Sequence, residues 1–392
     1  MNSLKRDARS FDVVLLALVV VISAFGLLMV GSATGMGEGN VSGTFINQLI
    51  FVITGIAVML LAAFINFETI CKFYLPIYGV NLALLVTVLL LPATGGVNRW
   101  IGIPIGGSEE VAATMLGIQP SEFAKIFMVI FLAAIINKFK DEINKLWVVG
   151  IVVASTAIVV ALIFAQPSYS ASMVPLFIMI AMLFTGGLNW RYFVIATVII
   201  VPLGLFAFIE LHAETPLILN DIFEPWQINR IMTFLYPEQG SALLYQNERA
   251  LDALNSGLLT GRGLFNNAAR IPEASNDFIF SVIGAELGFL GSLAVLAVIF
   301  TIVIRCFMIA YKSQVFLGRL LATGVGAAIA FQTFAHVGVN TFMLPNTGIN
   351  LPFVSSGGSS AWVFMAMIGL VLNVGMTREY SMFENFETSR YS

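Results

Sequence analysis

Apolar runs of about 20 residues recur from one end of the chain to the other, separated by short polar breaks, and a helix of that length crosses a bilayer core. Ten such runs predict spans at roughly 11–31, 46–66, 73–92, 120–137, 146–165, 171–187, 191–210, 278–304, 319–343 and 361–376. The pattern therefore predicts an all-α polytopic membrane protein with about ten transmembrane helices. The eighth run continues towards Tyr311, too long for one upright helix, and predicts a tilt or an interfacial turn. The first run follows Lys5, Arg6 and Arg9 as a signal core would, but its length predicts an uncleaved first span.

Lys and Arg positions orient these spans, because short cytoplasmic loops carry the excess of positive charge. With the N-terminus inside, thirteen fall on the cytoplasmic side and five outside: Arg99, Arg230, Arg249, Arg262 and Arg270. Lys125 lies within a span. Both termini are thus predicted to be cytoplasmic. Between spans 7 and 8 this orientation leaves a large extracytoplasmic loop, about residues 211–276, too long for an ordinary connection. Apolar periodicity at Ile228–Tyr236 and a helix-like Tyr245–Leu254 predict short interfacial helices in it, ended by Gly257, Gly261 and Gly263. Two further outer loops, 93–119 and 344–360, are rich in Gly, Pro and Ser.

Composition agrees with this reading and narrows the function. The 392 residues are 58% hydrophobic and only 10% charged, with mean hydropathy +0.93. So few charges exclude a soluble enzyme and a disordered chain, and a net charge of −3 offers no field for nucleic acid. No insert is long enough for a soluble domain, so residues 1–392 are expected to form one membrane domain. Cys71 and Cys306 both fall on predicted cytoplasmic sides, and with two histidines they make no zinc pattern.

The outer loops carry a set of motifs. These are Gly95-Gly-Val-Asn-Arg-Trp-Ile101, Gln119-Pro-Ser-Glu-Phe-Ala-Lys125, Gln166-Pro167, Arg230-Ile-Met-Thr-Phe-Leu-Tyr-Pro237 and Tyr245-Gln246. Asp277-Phe-Ile-Phe280 with Glu286-Leu-Gly288 follows, then Leu344-Pro-Asn-Thr-Gly348 running into Leu351-Pro-Phe-Val-Ser-Ser-Gly-Gly-Ser-Ser360. In this order, and on one membrane side, they resemble the SEDS family of bacterial shape, elongation, division and sporulation proteins, which includes RodA and FtsW. The chain departs from the family pattern after Gln166-Pro167, where Ser168-Tyr169-Ser170-Ala171 replaces Asp-Leu-Gly-Thr. The resemblance implies a peptidoglycan glycosyltransferase in the bacterial cytoplasmic membrane, polymerising lipid II into β-1,4 glycan strands on the extracytoplasmic side. It further implies an undecaprenyl-linked glycan chain as donor, a class B penicillin-binding protein as transpeptidase partner, membrane lipids around the spans, and no organic cofactor.

Each motif residue has a plain reading beside the functional one. Asp277 stands before an apolar run and suits a helix N-cap; the resemblance makes it the general base that deprotonates an attacking sugar hydroxyl. An α-linked diphosphate donor and a β-linked product need one in-line displacement, hence one base and something to neutralise the departing pyrophosphate. Arg230, Arg99 or Lys125 can do the latter, or a bound Mg²⁺ or Mn²⁺. Glu122 and Lys125, three apart, share a helix face and read either as a self-satisfied rim pair or as a functional pair. Arg99-Trp100 reads as an interfacial anchor or as a contact to a diphosphate-sugar headgroup. The turn at Ser355–Ser360 contains no nucleophile elbow or phosphate-loop lysine; it is expected to line the outer cavity, with Ser359 among the substrate contacts. Gln166, Pro167 and Glu286 are expected to be supporting residues, Glu286 lying about 13 Å deeper than Asp277 and on the opposite helix face. The stripe Gly284, Gly288 and Gly291 predicts close packing against a helix or a lipid tail, and His212 and His336 are expected to be structural. Two other functions fit a ten-span plan: a lipid II flippase, which needs charged groups along its path, and a non-catalytic scaffold for a transpeptidase.

Overall fold

The computed structural model describes residues 4–6, 10–36, 41–91, 99–101, 117–166, 168–211, 232–236, 242–266, 271–346 and 348–379. Its helices are α1 (Val13–Ala33), α2 (Gly43–Phe64), a short α3 (Phe67–Lys72), α4 (Tyr74–Leu90), α5 (Pro120–Lys138) and α6 (Leu146–Ala165). They continue with α7 (Tyr169–Thr185), α8 (Trp190–Leu211), α9 (Ala242–Ser256), α10 (Ile279–Lys312), α11 (Phe316–Asn340) and α12 (Gly358–Met376). Among the described residues, α1, α2, α5, α6, α10, α11 and α12 are long and apolar enough to cross a membrane, while α4, α7 and α8 carry shorter apolar stretches. This is a multi-pass, nearly all-helical membrane protein.

Local chemistry starts these helices where the apolar runs begin. Asp12 caps α1 by accepting the Leu15 N–H at 2.9 Å, Ser42 caps α2 through Phe45, and Asn66 caps α3 through Glu68. Pro120 occupies the first turn of α5, where its missing N–H costs nothing. Asn373 of α12 donates to the carbonyls of Ala63 and Ile65, both at 2.6 Å, and so satisfies the open C-terminal end of α2.

The centre of the bundle is made by α5, α11 and α12, which are mostly buried. Helix α12 packs most extensively on α2, α11 on α10 and α7, and α1 on α10. Helix α9 docks on α10 and α11. By contrast, α8 packs extensively against no other described helix, and apolar residues from Trp190 to Ile209 are exposed along it. It is held near its start, where Asn144 accepts from the Asn189 N–H and the Tyr192 hydroxyl at 2.7 and 2.6 Å. Phe184 and Phe193 meet there edge to face.

Two features depart from the sequence reading. The long eighth run is not one continuous helix: α10 breaks at Gly288, with φ +68° and ψ −166°. The break frees backbone groups, and the segment after α9 pairs them. Arg262 and Gly263 donate to the carbonyls of Ala285 and Glu286, both at 3.0 Å, while Phe289 and Leu290 donate to those of Leu258 and Leu259 at 2.8 and 3.1 Å. A Cβ at Gly261 or Gly288 would collide with the opposing backbone, so glycine is needed at both. Of the predicted glycine stripe, Gly284 packs against Leu254 of the helix α9, as expected, whereas Gly288 meets this segment's main chain. The second departure is a two-stranded pair, β1 (Leu4–Arg6) against β2 (Thr377–Glu379), with Lys5 opposite Arg378. Six residues are too short to announce strands in sequence, but the pair sets both terminal segments at one end of the bundle. Of the predicted loop helices, Tyr245–Leu254 lies within α9, and only a single turn at 232–235 is described of Ile228–Tyr236.

Candidate functional site

At the end of the bundle away from the paired termini, the segment 344–357 is strapped down by polar side chains that rise from inside the helices. Asn340, the last residue of α11, is fully engaged. Its Nδ2 donates to the carbonyls of Asp277 and His336, both at 2.9 Å, and its Oδ1 accepts from Ser281 N and Oγ at 3.0 and 2.9 Å. His336 Nδ1 donates to the Ile349 carbonyl at 2.7 Å, and Gln332 Nε2 to that of Asn350 at 3.0 Å. From α2, Gln48 accepts the Gly357 N–H at 2.9 Å and donates to the Ser355 carbonyl at 3.2 Å. Ser355 Oγ donates to the Asn276 carbonyl at 2.7 Å, and the Ser356 N–H to that of Ser275 at 2.8 Å.

These bonds hold Asp277 in place. It is half-buried, and it does not cap α10: the cap residue is Phe278, and no side chain caps it. Its Oδ2 lies beside Gly348, 3.1 Å from where a Cβ would stand, and Gly348 has φ +65°. Both facts call for glycine in that motif. Asn346 of the same motif reaches Gln246 on α9 at 3.5 Å. Asp277, Gln246, Asn346, Gly348 and the Ser355 turn thus come from four separate sequence motifs and meet at one place. Just below, a cavity of about 400 Å³ opens between α9, α10 and α11, lined by Leu254, Phe280, Gly284, Phe289 and Val337 among others. Its wall is almost wholly apolar.

The other predicted residues divide into three groups. Glu122 and Lys125 are not a rim pair but are buried in the bundle: their ion pair is 2.7 Å long, Lys125 also donates to Gln332 Oε1 at 2.6 Å, and Phe364 lies 5.2 Å from the ammonium. Through Gln332 they support Asn350 and hence the segment beside Asp277. Arg99, Trp100, Gln166 and Ser359 form a neighbouring cluster. Arg99 Nε donates to the Gln166 carbonyl at 3.2 Å, and Gln166 Nε2 to that of Leu85 at 2.9 Å. Trp100 is exposed and covers Gly117, and Ile101 pairs with Ile118 through two 2.9 Å bonds. Ser359 Oγ accepts the Gln119 N–H at 3.0 Å and donates to the Gly117 carbonyl, latching this strand-like crossing to α12. Glu286 stands apart. It accepts from Ser32 of α1 and, at 3.2 Å, from the Phe265 N–H, so it ties the segment after α9 to two helices. Arg230 and Pro167 lie outside the described residues.

Sequence reasoning missed Asn340, Gln332 and Gln48. Their one signal was an amide within an apolar run, where an unpaired polar group is costly and so implies a partner.

Comparison with known proteins identifies the family of the chain. The model for the FtsW, RodA and SpoVE family, described as cell cycle proteins, matches residues 12–380. A probable peptidoglycan glycosyltransferase FtsW of Trichlorobacter lovleyi is 31% identical over 378 residues, covering 93% of each chain. One of the same description from Bacillus subtilis is 31% identical over 396 residues, covering 96% of this chain and 94% of the relative. Among solved structures, a chain from a peptidoglycan synthase complex that coordinates polymerization and crosslinking superposes with a TM-score of 0.75 at 27% identity, covering 93% of this chain and 97% of that one. The rod shape determining protein RodA of Thermus thermophilus gives a TM-score of 0.66 at 25% identity, covering 95% and 98%.

Proposed function

Because the chain belongs to the FtsW/RodA/SpoVE family of cell cycle proteins, we propose that it is a peptidoglycan glycosyltransferase that polymerises lipid II at the outer face of the bacterial cytoplasmic membrane. The observation that carries this reading is the convergence of Asp277, Gln246, Asn346 and Gly348 above an apolar cavity. A lipid-linked sugar needs a polar site for its head directly against an apolar place for its tail, and these residues supply that juxtaposition.

In this reading, Asp277 takes the proton of the acceptor hydroxyl as that oxygen attacks the anomeric carbon of the growing glycan, and the diphosphate leaves from the opposite face. The configuration inverts in one displacement, giving a β-1,4 link. Asn340 contributes by holding the backbone of Asp277, and Gly348 by leaving room beside its carboxylate. Arg99 at the same end, with Arg230 of the large loop, is the cation suited to the leaving diphosphate. Lys125 already has Glu122 and Gln332 as partners, so its part is to hold the floor of the site.

Among the described residues no three His, Cys, Asp or Glu side chains converge as a metal cage. A bound Mg²⁺ or Mn²⁺, with the half-buried Asp277 as the carboxylate at hand, would supply further neutralisation of the leaving group. The buried ionisable groups bear on the flippase alternative. Glu122, Lys125 and Glu286 bond to the protein itself, and this favours reaction at the bundle end over passage through it. A class B penicillin-binding protein, acting as transpeptidase on the emerging strand, is the partner this reading supplies.

The test is polymerisation of lipid II by the full chain, alone and with that partner, comparing wild type with Asp277→Asn and Asp277→Ala. Loss of the base is expected to lower the rate by about 100-fold or more, with partner binding kept. Full activity in Asp277→Asn removes the base assignment. An inactive wild type in both settings removes the polymerase reading.

A further inference from the structure

At the far end from Asp277, where the two terminal segments pair, a cavity of about 680 Å³ opens between the start of α1, the last turns of α10 and the end of α12. That volume lies within the roughly 300–1,000 Å³ of small-molecule sites. Its walls are of two kinds. Val13 and Met308 are exposed apolar side chains at the ends of helices apolar enough to cross a membrane. Arg305 and Lys312, about two turns apart on one face of α10, supply cations.

Among the described residues, Asp12 is the one carboxylate in the lining, and it is already engaged. Its Oδ1 caps α1, and both its oxygens accept from Arg305 Nη1, at 3.3 and 3.1 Å. Among the described residues the pair is made through Nη1 alone, with no partner among them for the rest of the guanidinium fork. Lys312 is exposed and has no ion pair or hydrogen bond among the described residues. Ser10, Ser313 and Gln314 add polar groups to the same wall. The plain reading covers part of this: Arg305 pins α1 to α10, and a lysine suits the last turn of a helix. It does not account for a cavity that sets a spare cation and a half-used guanidinium against an apolar wall.

We propose that this cavity binds the phosphate of an anionic phospholipid from the surrounding membrane, with Arg305 and Lys312 meeting the phosphate and Val13 and Met308 meeting the first part of the acyl chains. The choice of a lipid over free phosphate rests on the apolar wall and on position. This is the end where Lys and Arg concentrate, and Tyr311, beside Lys312, is 87% exposed, as aromatic side chains at a headgroup boundary are.

The experiment is native mass spectrometry of the full chain titrated with phosphatidylglycerol, with phosphatidylethanolamine of the same chains, and with phosphatidylglycerol in the presence of excess inorganic phosphate. The expected result is one phosphatidylglycerol retained about fivefold better than phosphatidylethanolamine, and about fivefold less of it in Lys312→Gln. Lys140→Gln removes another exposed lysine and is expected to leave retention unchanged. Arg305→Lys keeps a cation beside Asp12 and guards against loss of the fold. Equal retention of the two lipids overturns the proposal, as does an equal loss in Lys140→Gln. Displacement by inorganic phosphate overturns the lipid assignment and gives the cations to free phosphate.

Discussion

Lys125 shows how one buried charge organises its surroundings. A bare ammonium inside the bundle is costly, and Glu122, Gln332 and the face of Phe364 answer it from three helices. Removing one partner of such a pair leaves an uncompensated charge. Glu122→Leu is therefore expected to destabilise the protein by about 3–5 kcal/mol, whereas Glu122→Leu with Lys125→Met recovers most of that loss. Thermal unfolding of the purified protein in detergent measures both; a double variant as unstable as the single one would show that the charge is not the cause. The i, i+3 spacing made the Glu122–Lys125 contact legible in the sequence. Gln332 was not legible, because its partner lies 207 positions away. Asp277 was legible only through its motif: by position alone it resembles a helix cap, and the structure gives the cap to Phe278.

At the level of elements, hydrophobic length located the long helices to within a few residues, since the bilayer fixes how much apolar chain a span needs, except that α10 runs on past 304 to Lys312. The same signal concealed the break in α10, because its two halves are equally apolar and only the glycines mark the join. The backbone pairing across that break gives an ordering of variants. Gly261→Ala and Gly288→Ala each combine an unfavourable φ with a collision against main chain. Gly263→Ala has the unfavourable φ, +97°, but open space around it, and so is expected to cost only about 1–3 kcal/mol. Limited proteolysis within 257–266 should rise strongly in the first two and slightly in the third. Equal cleavage in all three would mean that the close approach of the two backbones contributes little. Glu286 belongs to the same assembly, which explains a carboxylate that depth and helix phase alone had set apart from the site.

For the molecule as a whole, the termini were predicted to share a side from charge alone, and the β1–β2 pair places them in contact. Cysteines at the facing positions, Lys5→Cys with Arg378→Cys, are expected to form a disulfide under mild oxidation, since Cα atoms of paired residues on antiparallel strands fall in bonding range. The native Cys71 and Cys306 are buried and should not compete. Failure of the pair to close while each single cysteine labels readily would separate the two ends. The opposite extreme of order is α8, tethered near its first turn and bare along most of its length. Between it, α7 and α11 lies an apolar hollow of about 470 Å³ walled by Phe177, Phe184, Phe193 and Phe331. A bundle left ajar on its flank is accessible edgewise. A molecule that travels within a leaflet would meet such a flank by searching a plane instead of a volume, and would reach it without shedding its hydrocarbon surroundings into water.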